Sequence, residues 1–367
     1  MRWFLGLVLV VALITGIAYG VGLFLLSNSL EVTRTVTIAR PRASVFAMIN
    51  DLRIAREWSP YNARDPGADY SISPEPGAGQ TMRWDSTVRE VGSGSMSIIN
   101  SMENESVESV IEIGDRATLN SRIDLERGDG GTGVSWSISA RCARGFINVP
   151  CRYMNLIMRS TVEKDLDSGL ARLKDRAEQL PPQDFEGYDI VEMPVDPQDV
   201  IFVDVILTKT CDQSQEPGCT PPSPTFEERD QAERRGVEAL AASVATAGGH
   251  ADMSTLVRVF PLNNAQDGPG VRRYRFSVGY PYSGPAPVLV GSRVGQTPGG
   301  ATLRVTFVGR RSLLPLMYQR LEAYRQAHRI GSRAGADRWE VATAMPQPAG
   351  ADPADPVERT EIYFPIE

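Results

Sequence analysis

The chain begins with a long apolar segment that carries no charge. From Trp3 to Leu26 it reads WFLGLVLVVALITGIAYGVGLFLL. At about 1.5 Å per residue, a helix of this length can span a hydrocarbon core of about 30 Å. A cleaved signal peptide would have a shorter apolar region ending in a small-x-small site, of which Ala18-Tyr19-Gly20 is a poor version. Residues 1–30 are therefore expected to form an uncleaved transmembrane anchor, with a signal peptide as the alternative.

Composition narrows the partners of the remaining chain. The formal net charge is -7 and the pI about 5.2, which argues against a nucleic-acid partner, since that would need a basic face. The chain has only two histidines, so we expect no histidine-rich metal site. The sequence carries no P-loop and no zinc-binding spacing, and we expect neither a metal nor a cofactor.

Four cysteines form two sequence-local pairs, Cys142 with Cys151 and Cys211 with Cys219. Paired loop cysteines suit an oxidising compartment, although four free thiols remain the alternative because sequence cannot show pairing. The basic residues around the apolar segment are nearly balanced and do not fix its orientation. On balance we expect a single-pass protein of the bacterial cytoplasmic (inner) membrane with its soluble domains in the periplasm.

The segment 31–182 has the pattern of one α+β domain. Glu31 to Ala39 alternates as a strand does, and Pro41 opens a helix. Glycine- and serine-rich turns then separate a run of short strands, typical of an antiparallel meander. Within that run, Gly128 to Gly133 matches G-x-G-x-x-G but precedes a strand, so we interpret it as a hairpin turn. Apolar residues spaced by three or four predict a long helix over Arg152 to Leu180 with one continuous apolar face, beginning at Met154.

The segment 187–367 predicts a doubled α+β module. The order strand-strand-helix-strand-strand occurs twice between Tyr188 and Glu367, which indicates an internal repeat. Thr225 and Glu228 form a capping box that starts the first of the two helices. The predicted strands are Tyr188–Met193, Val200–Leu207, Ser254–Phe260, Arg272–Tyr280, Val288–Val294, Ala301–Val308, Trp339–Ala344 and Thr360–Pro365.

The first soluble domain resembles a known family. The stretch VTRTVTIARPRASVFAMINDLRIAREWSPY, the meander and the terminal DLDSGLARLKDRAEQL are similar to the START-like superfamily, also called SRPBCC or polyketide cyclase/dehydrase and lipid transport. The resemblance implies a helix-grip fold, in which an antiparallel sheet wraps around a long C-terminal helix with an apolar cavity between them. Candidate lining residues are large and apolar, and the alternative is that they are simply core. They are Trp58, Trp84, Trp136, Phe146, Met154 and Met158.

The second soluble domain resembles the GyrI-like effector-binding domain, a small-molecule sensor. The doubled module, RWEV after the second helix and the terminal RTEIYFPI carry the resemblance. Two departures are the cysteine loop between Thr208 and Pro224 and the absence of an attached helix-turn-helix domain, which puts a transcriptional role in doubt. The resemblance implies that Glu340 lies in a cleft between the modules and can pair with a cationic aromatic ligand. The available rings are Tyr274, Tyr280, Tyr282, Trp339 and Tyr363.

These expectations favour a membrane-anchored protein that binds a hydrophobic or amphipathic small molecule or lipid in two pockets, without catalysis. A buried carboxylate such as Glu340 is costly unless paired, and a cationic ligand over aromatic rings would offset that cost. A salt bridge from Arg304 or Arg273 is the structural alternative. Two other functions stay open: a hydrolase using Glu340 as general base with Tyr280 or Tyr363 nearby, and a non-catalytic envelope interaction protein.

Overall fold

The computed structural model describes residues 2–114, 117–143, 148–214, 218–247, 251–261, 270–283, 291–350, 352 and 355–367. The chain is a mixed α+β protein with an N-terminal apolar helix and two antiparallel sheets. It divides into a first unit, residues 1–186 with 326–329, and a second unit, residues 187–325 with 330–367. The helices are α1 (Arg2–Phe24), α2 (Arg42–Ile49), α3 (Leu52–Trp58), α4 (Pro60–Arg64), α5 (Val149–Ala177), α6 (Phe226–Ala247) and α7 (Leu314–Ala327).

Helix α1 contains the apolar segment predicted to cross a membrane. Among the described helices, its stretch Gly6–Phe24, with a mean hydropathy of 2.5, is long and apolar enough to do so. Signal sequences share that property. Its last turns contact the start of α5, where Gly22 packs against Val149 and Tyr153.

The first unit contains a seven-stranded antiparallel sheet in the order β1-β7-β6-β5-β4-β3-β2. Strands β2 to β7 therefore form a meander, as the sequence pattern predicted, and β1 pairs with β7. The strands are β1 (Ser29–Ile38), β2 (Asp69–Ile72), β3 (Thr81–Asp85), β4 (Gly94–Met102), β5 (Ser106–Ile113), β6 (Ala117–Gly128) and β7 (Gly131–Arg141).

The G-x-G-x-x-G motif lies in the tight turn between β6 and β7, where Gly128 pairs with Gly131. Gly131 has a φ of 135°, and a Cβ there would lie 2.1 Å from the carbonyl oxygen of Ile38. The turn requires glycine for backbone reasons. The interpretation of this motif as a hairpin turn is therefore confirmed.

The long helix α5 runs along the sheet of the first unit. Val149 is buried in its first turn, and from Val162 onward it buries one continuous face, where at Gly169 a Cβ would come within 2.5 Å of the Trp136 ring. The predicted apolar face is therefore packed in its later part, whereas Met154, at its start, is 54% exposed. The whole arrangement is consistent with a helix-grip domain.

Both sequence-local cysteine pairs are disulfides. Cys142 is bonded to Cys151 and joins the end of β7 to the start of α5. Cys211 is bonded to Cys219 in the polar segment that precedes α6. Of the two pairing alternatives, the oxidised one is present in the structure.

The second unit contains an eight-stranded antiparallel sheet in the order β12-β9-β11-β10-β14-β15-β13-β8. Of the predicted strand Val288–Val294, residues 288–290 lie outside the described residues, and the observed strand begins at Arg293. The strands are β8 (Ile190–Val195), β9 (Asp199–Thr210), β10 (Thr255–Phe260), β11 (Val271–Pro281), β12 (Arg293–Gln296), β13 (Gly300–Arg310), β14 (Arg338–Ala344) and β15 (Val357–Pro365).

This second sheet is strongly curved. Strands β8 and β9 are six positions apart in it, about 29 Å in a flat sheet with a spacing of about 4.8 Å. Residues 196–198 alone connect them, and this link reaches at most about 14 Å. The sheet must therefore bend until its edges approach each other, and Gln198 and Thr297 are hydrogen-bonded there. Val195, Val200, Phe202 and Trp339 pack together inside the bend.

Helices α6 and α7 cover the outer face of the curved sheet. Helix α6 packs on β9 and β11 around Ile201 and Phe276, whereas α7 packs on β13 and β15 around Leu303 and Ile362. The predicted capping box is present, since the Glu228 amide donates to Thr225 Oγ1 and the Thr225 amide donates to Glu228 Oε2. Strands β10 and β14, in the middle of the sheet, lie between the two helices.

Candidate functional site

Strand β14 places two large side chains on opposite faces of the curved sheet. Trp339 faces the interior of the bend, where its ring stacks on Tyr363 at a centroid distance of 4.9 Å and an interplanar angle of 3°. Glu340 faces the helices and is only 2% exposed. In the sheet register Glu340 lies directly opposite Arg258 of β10. The alternation of a strand therefore brings one acid and one arginine together beneath α6 and α7.

Arg258 is the centre of a buried ionic cluster. It is 3% exposed, and its guanidinium contacts three glutamates. Its Nη1 and Nη2 donate to both oxygens of Glu358 at 2.8 and 3.0 Å, and Nε donates to Glu233 at 2.9 Å. Its bond to Glu340 Oε2 is longer, 3.3 Å. Of the three carboxylates, Glu340 therefore has the longest contact with Arg258.

The two helices and the turn before α7 complete the cluster. Tyr318 of α7 donates its hydroxyl to Glu340 Oε1 at 2.9 Å. Arg311 donates to Glu233 and, at 2.7 Å, to Asp230 of α6. The buried cluster thus contains two arginines and four carboxylates, so its negative groups are only partly compensated.

This imbalance shifts the ionisation of the two strand-borne glutamates in opposite directions. Burial raises the pKa of Glu340, and the nearby charges of Glu358 and Glu233 add to the effect of burial, while Arg258 and Tyr318 oppose it. Burial alone would also raise the pKa of Glu358, but the charge and hydrogen bonds of Arg258 outweigh it and the pKa is lowered. Burial and the carboxylate of Glu340 raise the pKa of Tyr318 well above its usual range.

A cavity of about 330 Å³ opens above the cluster, between α6 and α7. Its size falls in the range of small-molecule sites. One part of its wall is ionic and includes Glu340, Arg258 and Glu233, while another part is apolar and aromatic. The apolar lining consists of Phe226, Phe260, Phe276, Leu314, Pro315 and the Tyr318 ring.

The other aromatic candidates of the second unit lie elsewhere. Trp339 and Tyr363 are on the inner face of the sheet, and the Tyr363 hydroxyl donates to Glu361 at 2.7 Å. Tyr280 is buried under α6 with Leu240. The structure thus separates the three rings from Glu340. Their predicted ligand-binding role is supported only by the resemblance to the GyrI-like domain.

In the first unit, the three tryptophans are buried side chains. Trp58 and Trp136 meet edge to face at 5.5 Å, and their indole nitrogens donate to Met48 O and Ser121 Oγ. Trp84 stacks on Tyr61 at 5.8 Å. Among the remaining candidates Met158 is half-buried, Met154 is exposed, and Phe146 lies outside the described residues. The structure places the tryptophans between sheet and helix but does not bring Met154 to them.

The partner of Glu340 differs from the two arginines considered in the sequence. Arg304 lies on β13 and Arg273 on β11, whereas β14 pairs with β10 and β15. Arg258 was missed, although Leu256-Val257-Arg258-Val259-Phe260 shows the same signal as the Glu340 strand, a charge enclosed by apolar residues. Tyr318 and Glu233 carry no local signal, because ordinary helix surfaces contain such residues.

Comparison with known proteins assigns a family to part of the chain. A family model described as polyketide cyclase / dehydrase and lipid transport matches residues 29–178. None of the curated proteins matches the chain.

Several solved structures resemble part of the chain at low identity. A putative uncharacterized protein from Rhizobium leguminosarum is 16% identical, covers 41% of this chain and 95% of its own, and has a TM-score of 0.31. A protein from Chromobacterium violaceum is 12% identical, covers 41% and 98%, and has a TM-score of 0.29. A protein of unknown function from Staphylococcus aureus is 14% identical, covers 41% and 97%, and has a TM-score of 0.32. By the family model, residues 29–178 of this chain are similar to the SRPBCC-like polyketide cyclase / dehydrase and lipid-transport family.

Proposed function

We propose that this protein is a membrane-anchored binding protein for hydrophobic or amphipathic small molecules or lipids, with one apolar pocket in the first unit and one acid-containing pocket in the second. The match of residues 29–178 to a lipid-transport family supports ligand binding by the first unit. The apolar helix α1 supports the anchor. The observation that carries the proposal is the cavity of about 330 Å³ above Glu340, because a buried ionic wall beside an aromatic wall suits an amphipathic ligand.

We further propose that the second unit is a duplicated GyrI-like domain. Its first module would be β8–β11 with α6 and its second module β12–β15 with α7. If the strands are numbered 1 to 4 in the first module and 1′ to 4′ in the second, the sheet order is 1′-2-4-3-3′-4′-2′-1. Reading this order from the other edge and exchanging the two modules gives the same order. The first strand of each module lies at the outer edge of the other module: β12 pairs with β9, and β8 pairs with β13. With the modules defined in this way, the cavity between α6 and α7 would lie at their junction, which is where the family resemblance implies a ligand.

The ligand of this pocket is proposed to present a cationic, aromatic group to Glu340. Four arginines and three carboxylates line the cavity, so charge selectivity depends on which group is least compensated. That group is Glu340, which has the longest bond to Arg258 and a raised pKa caused first by burial. A cation near its carboxylate would favour the charged form, and the rings of Phe260, Phe276 and Tyr318 could contact an attached aromatic body.

Tetraphenylphosphonium and tetraphenylborate provide a direct test, because they have nearly the same shape and opposite charge. Calorimetry with the purified full-length protein is expected to show tighter binding of the phosphonium. Glu340→Gln keeps the side-chain volume and removes the charge, and is expected to weaken phosphonium binding by about tenfold, or about 1.4 kcal/mol.

Glu361→Gln is the matched control, because Glu361 is a neighbouring strand glutamate that bonds Tyr363 and Arg359 outside the cavity. It should leave both affinities unchanged. Tighter borate binding, or equal phosphonium affinity in Glu340→Gln and the unmodified protein, would contradict the proposed role of Glu340.

One observation keeps a hydrolase as the second candidate function. Tyr318 donates to Glu340 at 2.9 Å, which places a second proton-carrying group at a carboxylate whose pKa burial raises. Such a carboxylate can act as a general base on a bound water. Turnover of cationic aryl esters that is lost in Glu340→Gln and reduced in Tyr318→Phe would support catalysis, whereas binding without turnover would leave the binding function alone.

The soluble units are proposed to lie on the periplasmic side of the cytoplasmic membrane. The two disulfides support this orientation, because disulfides persist in oxidising compartments. Alkaline phosphatase fused after Glu367 should be active, since that reporter requires export. An inactive fusion, together with freely alkylated cysteines, would place the units in the cytoplasm.

A further inference from the structure

The first turns of α5 carry an exposed apolar surface, which we define as Met154, Leu156 and Ile157. These side chains are 54%, 57% and 69% exposed. Three large apolar residues exposed within one helical turn are unusual on a water-facing surface. From Val162 onward the same helix buries one face against its own unit. The exposed surface is therefore a local property of the first turns of α5.

This segment is attached to the end of the apolar helix α1. Arg152 donates to the carbonyl oxygens of Gly22, Leu23 and Leu26 at 3.3, 2.6 and 3.1 Å. These are terminal carbonyls of α1, which attract a cation both as free acceptors and through the helix dipole. The Tyr153 hydroxyl donates to Ala18 O at 2.6 Å. The start of α5 is thus held at the level of residues 18–26 of the chain.

The position of that level relative to a bilayer follows from the length of α1. A helix of 23 residues is about 35 Å long, so its last turns lie where a hydrocarbon core of about 30 Å meets the headgroups. Ile157 is five residues from Arg152, at most about 8 Å further along the α5 axis. Arginine and tyrosine at this depth are typical of membrane–water interfaces. The disulfide from Cys142 to Cys151 ties the segment to β7.

We infer that Met154, Leu156 and Ile157 lie in the lipid interface beside α1, so that the bilayer itself covers this surface. The inference rests on the proposed membrane anchoring by α1. It gives the first unit a second membrane contact, on the helix that forms the wall of its helix-grip domain. The unit then has a fixed orientation on the membrane instead of hanging from a flexible linker.

Fluorescence quenching by brominated lipids tests this contact in the full-length protein. The protein is reconstituted into vesicles of phosphatidylcholine and phosphatidylglycerol, with or without bromine on the acyl chains. Ile157→Trp adds an indole to the surface, and Ile99→Trp adds one on β4, where the native side chain is 56% exposed, as the matched control. Trp3 of the unmodified protein, near the start of α1, reports on the anchor separately.

We expect brominated acyl chains to reduce the emission added by Ile157→Trp about twofold, because an interfacial helix face lies about 5–10 Å into the boundary of headgroups and acyl chains. The emission added by Ile99→Trp should not change. Quenching of the unmodified protein without quenching of the indole added at position 157 would overturn the inference and leave the anchor intact. Absence of quenching in all variants would instead remove the anchor, and the inference with it.

A further result would assign the surface to a second copy of the chain. In that case the indole added at position 157 would emit at shorter wavelength, escape the brominated lipid, and respond to dilution of the protein in the vesicles. This result would also overturn the inference.

Discussion

The two faces of strand β14 in the curved sheet of the second unit bury their side chains by different means. Inside the bend, Trp339 stacks on Tyr363 among valines and Phe202. Outside it, one residue further along β14, Glu340 joins Arg258 and three further carboxylates. The inner layer gains free energy from apolar area removed from water. The ionic cluster outside it gains little net free energy, because desolvation of ions offsets much of their attraction.

The contrast indicates where stability and where function reside. The ionic cluster contributes little to stability, so apolar side chains would fill the same space at least as well. It forms one wall of the cavity, which indicates a role in function. The apolar layer gives the sheet its curvature, and the ionic layer gives the cavity its chemistry. Three experiments examine this division.

Arg258→Met should have the largest effect. It removes the shared partner of three buried glutamates, and loss of one partner of a buried ion pair costs about 3–5 kcal/mol. Arg293→Met is the control, because Arg293 pairs with Asp204 on the surface, with side chains 51% and 54% exposed, and such pairs contribute about 0–1 kcal/mol. Urea unfolding, with hydrogen exchange of the β10 and β14 amides to identify the second unit, measures the difference. Equal losses in both variants would mean that the cluster is hydrated in solution.

Trp339→Ala should come next and should act on stability alone. Deleting a buried tryptophan costs about 3–5 kcal/mol through lost apolar contacts and the cavity it leaves. At a temperature where the variant is folded, its affinity for tetraphenylphosphonium should match that of the unmodified protein, because Trp339 and Glu340 lie on opposite faces. If tetraphenylphosphonium affinity instead fell as much as in Glu340→Gln, Trp339 would be part of the ligand site.

The pH dependence of unfolding should show the smallest effect. The pKa of Glu340 is raised from 4.5, so the stability contributed by this group is fully present below pH 4.5 and is lost as the pH rises through the raised pKa. The pKa of Glu358 is lowered from 4.5, so its contribution is present above pH 4.5 and is lost as the pH falls through the lowered pKa.

Unfolding free energies of Glu340→Gln and Glu358→Gln, measured against the unmodified protein from pH 3 to pH 8, separate the two groups. Relative to the unmodified protein, Glu340→Gln should gain stability as the pH rises above 4.5, whereas Glu358→Gln should gain it as the pH falls below 4.5. Parallel curves would contradict opposite shifts at the two carboxylates.

Sequence patterns predicted the elements of this protein better than their contacts. The sequence predicted three local features correctly, because each depends on neighbouring residues. They are the strand over Trp339–Ala344, the capping box at Thr225 and the hairpin glycines. The bond from Arg258 to Glu340 joins residues 82 positions apart and depends on which strands pair, which periodicity does not encode. The exposure of Met154 was missed for a related reason, since an apolar spacing shows a face but not what covers it.

The exchange of edge strands has a consequence for how the second unit is made. Strand β8 pairs with β13, and Val195 lies opposite Gly300, so the first strand waits for a partner synthesised about a hundred residues later. Contacts this distant in sequence slow folding. While the chain is emerging from the ribosome, β8 and β9 would present open edges that other chains could join. The two halves can close only around each other, which makes the finished unit indivisible and its nascent form dependent on protection from aggregation.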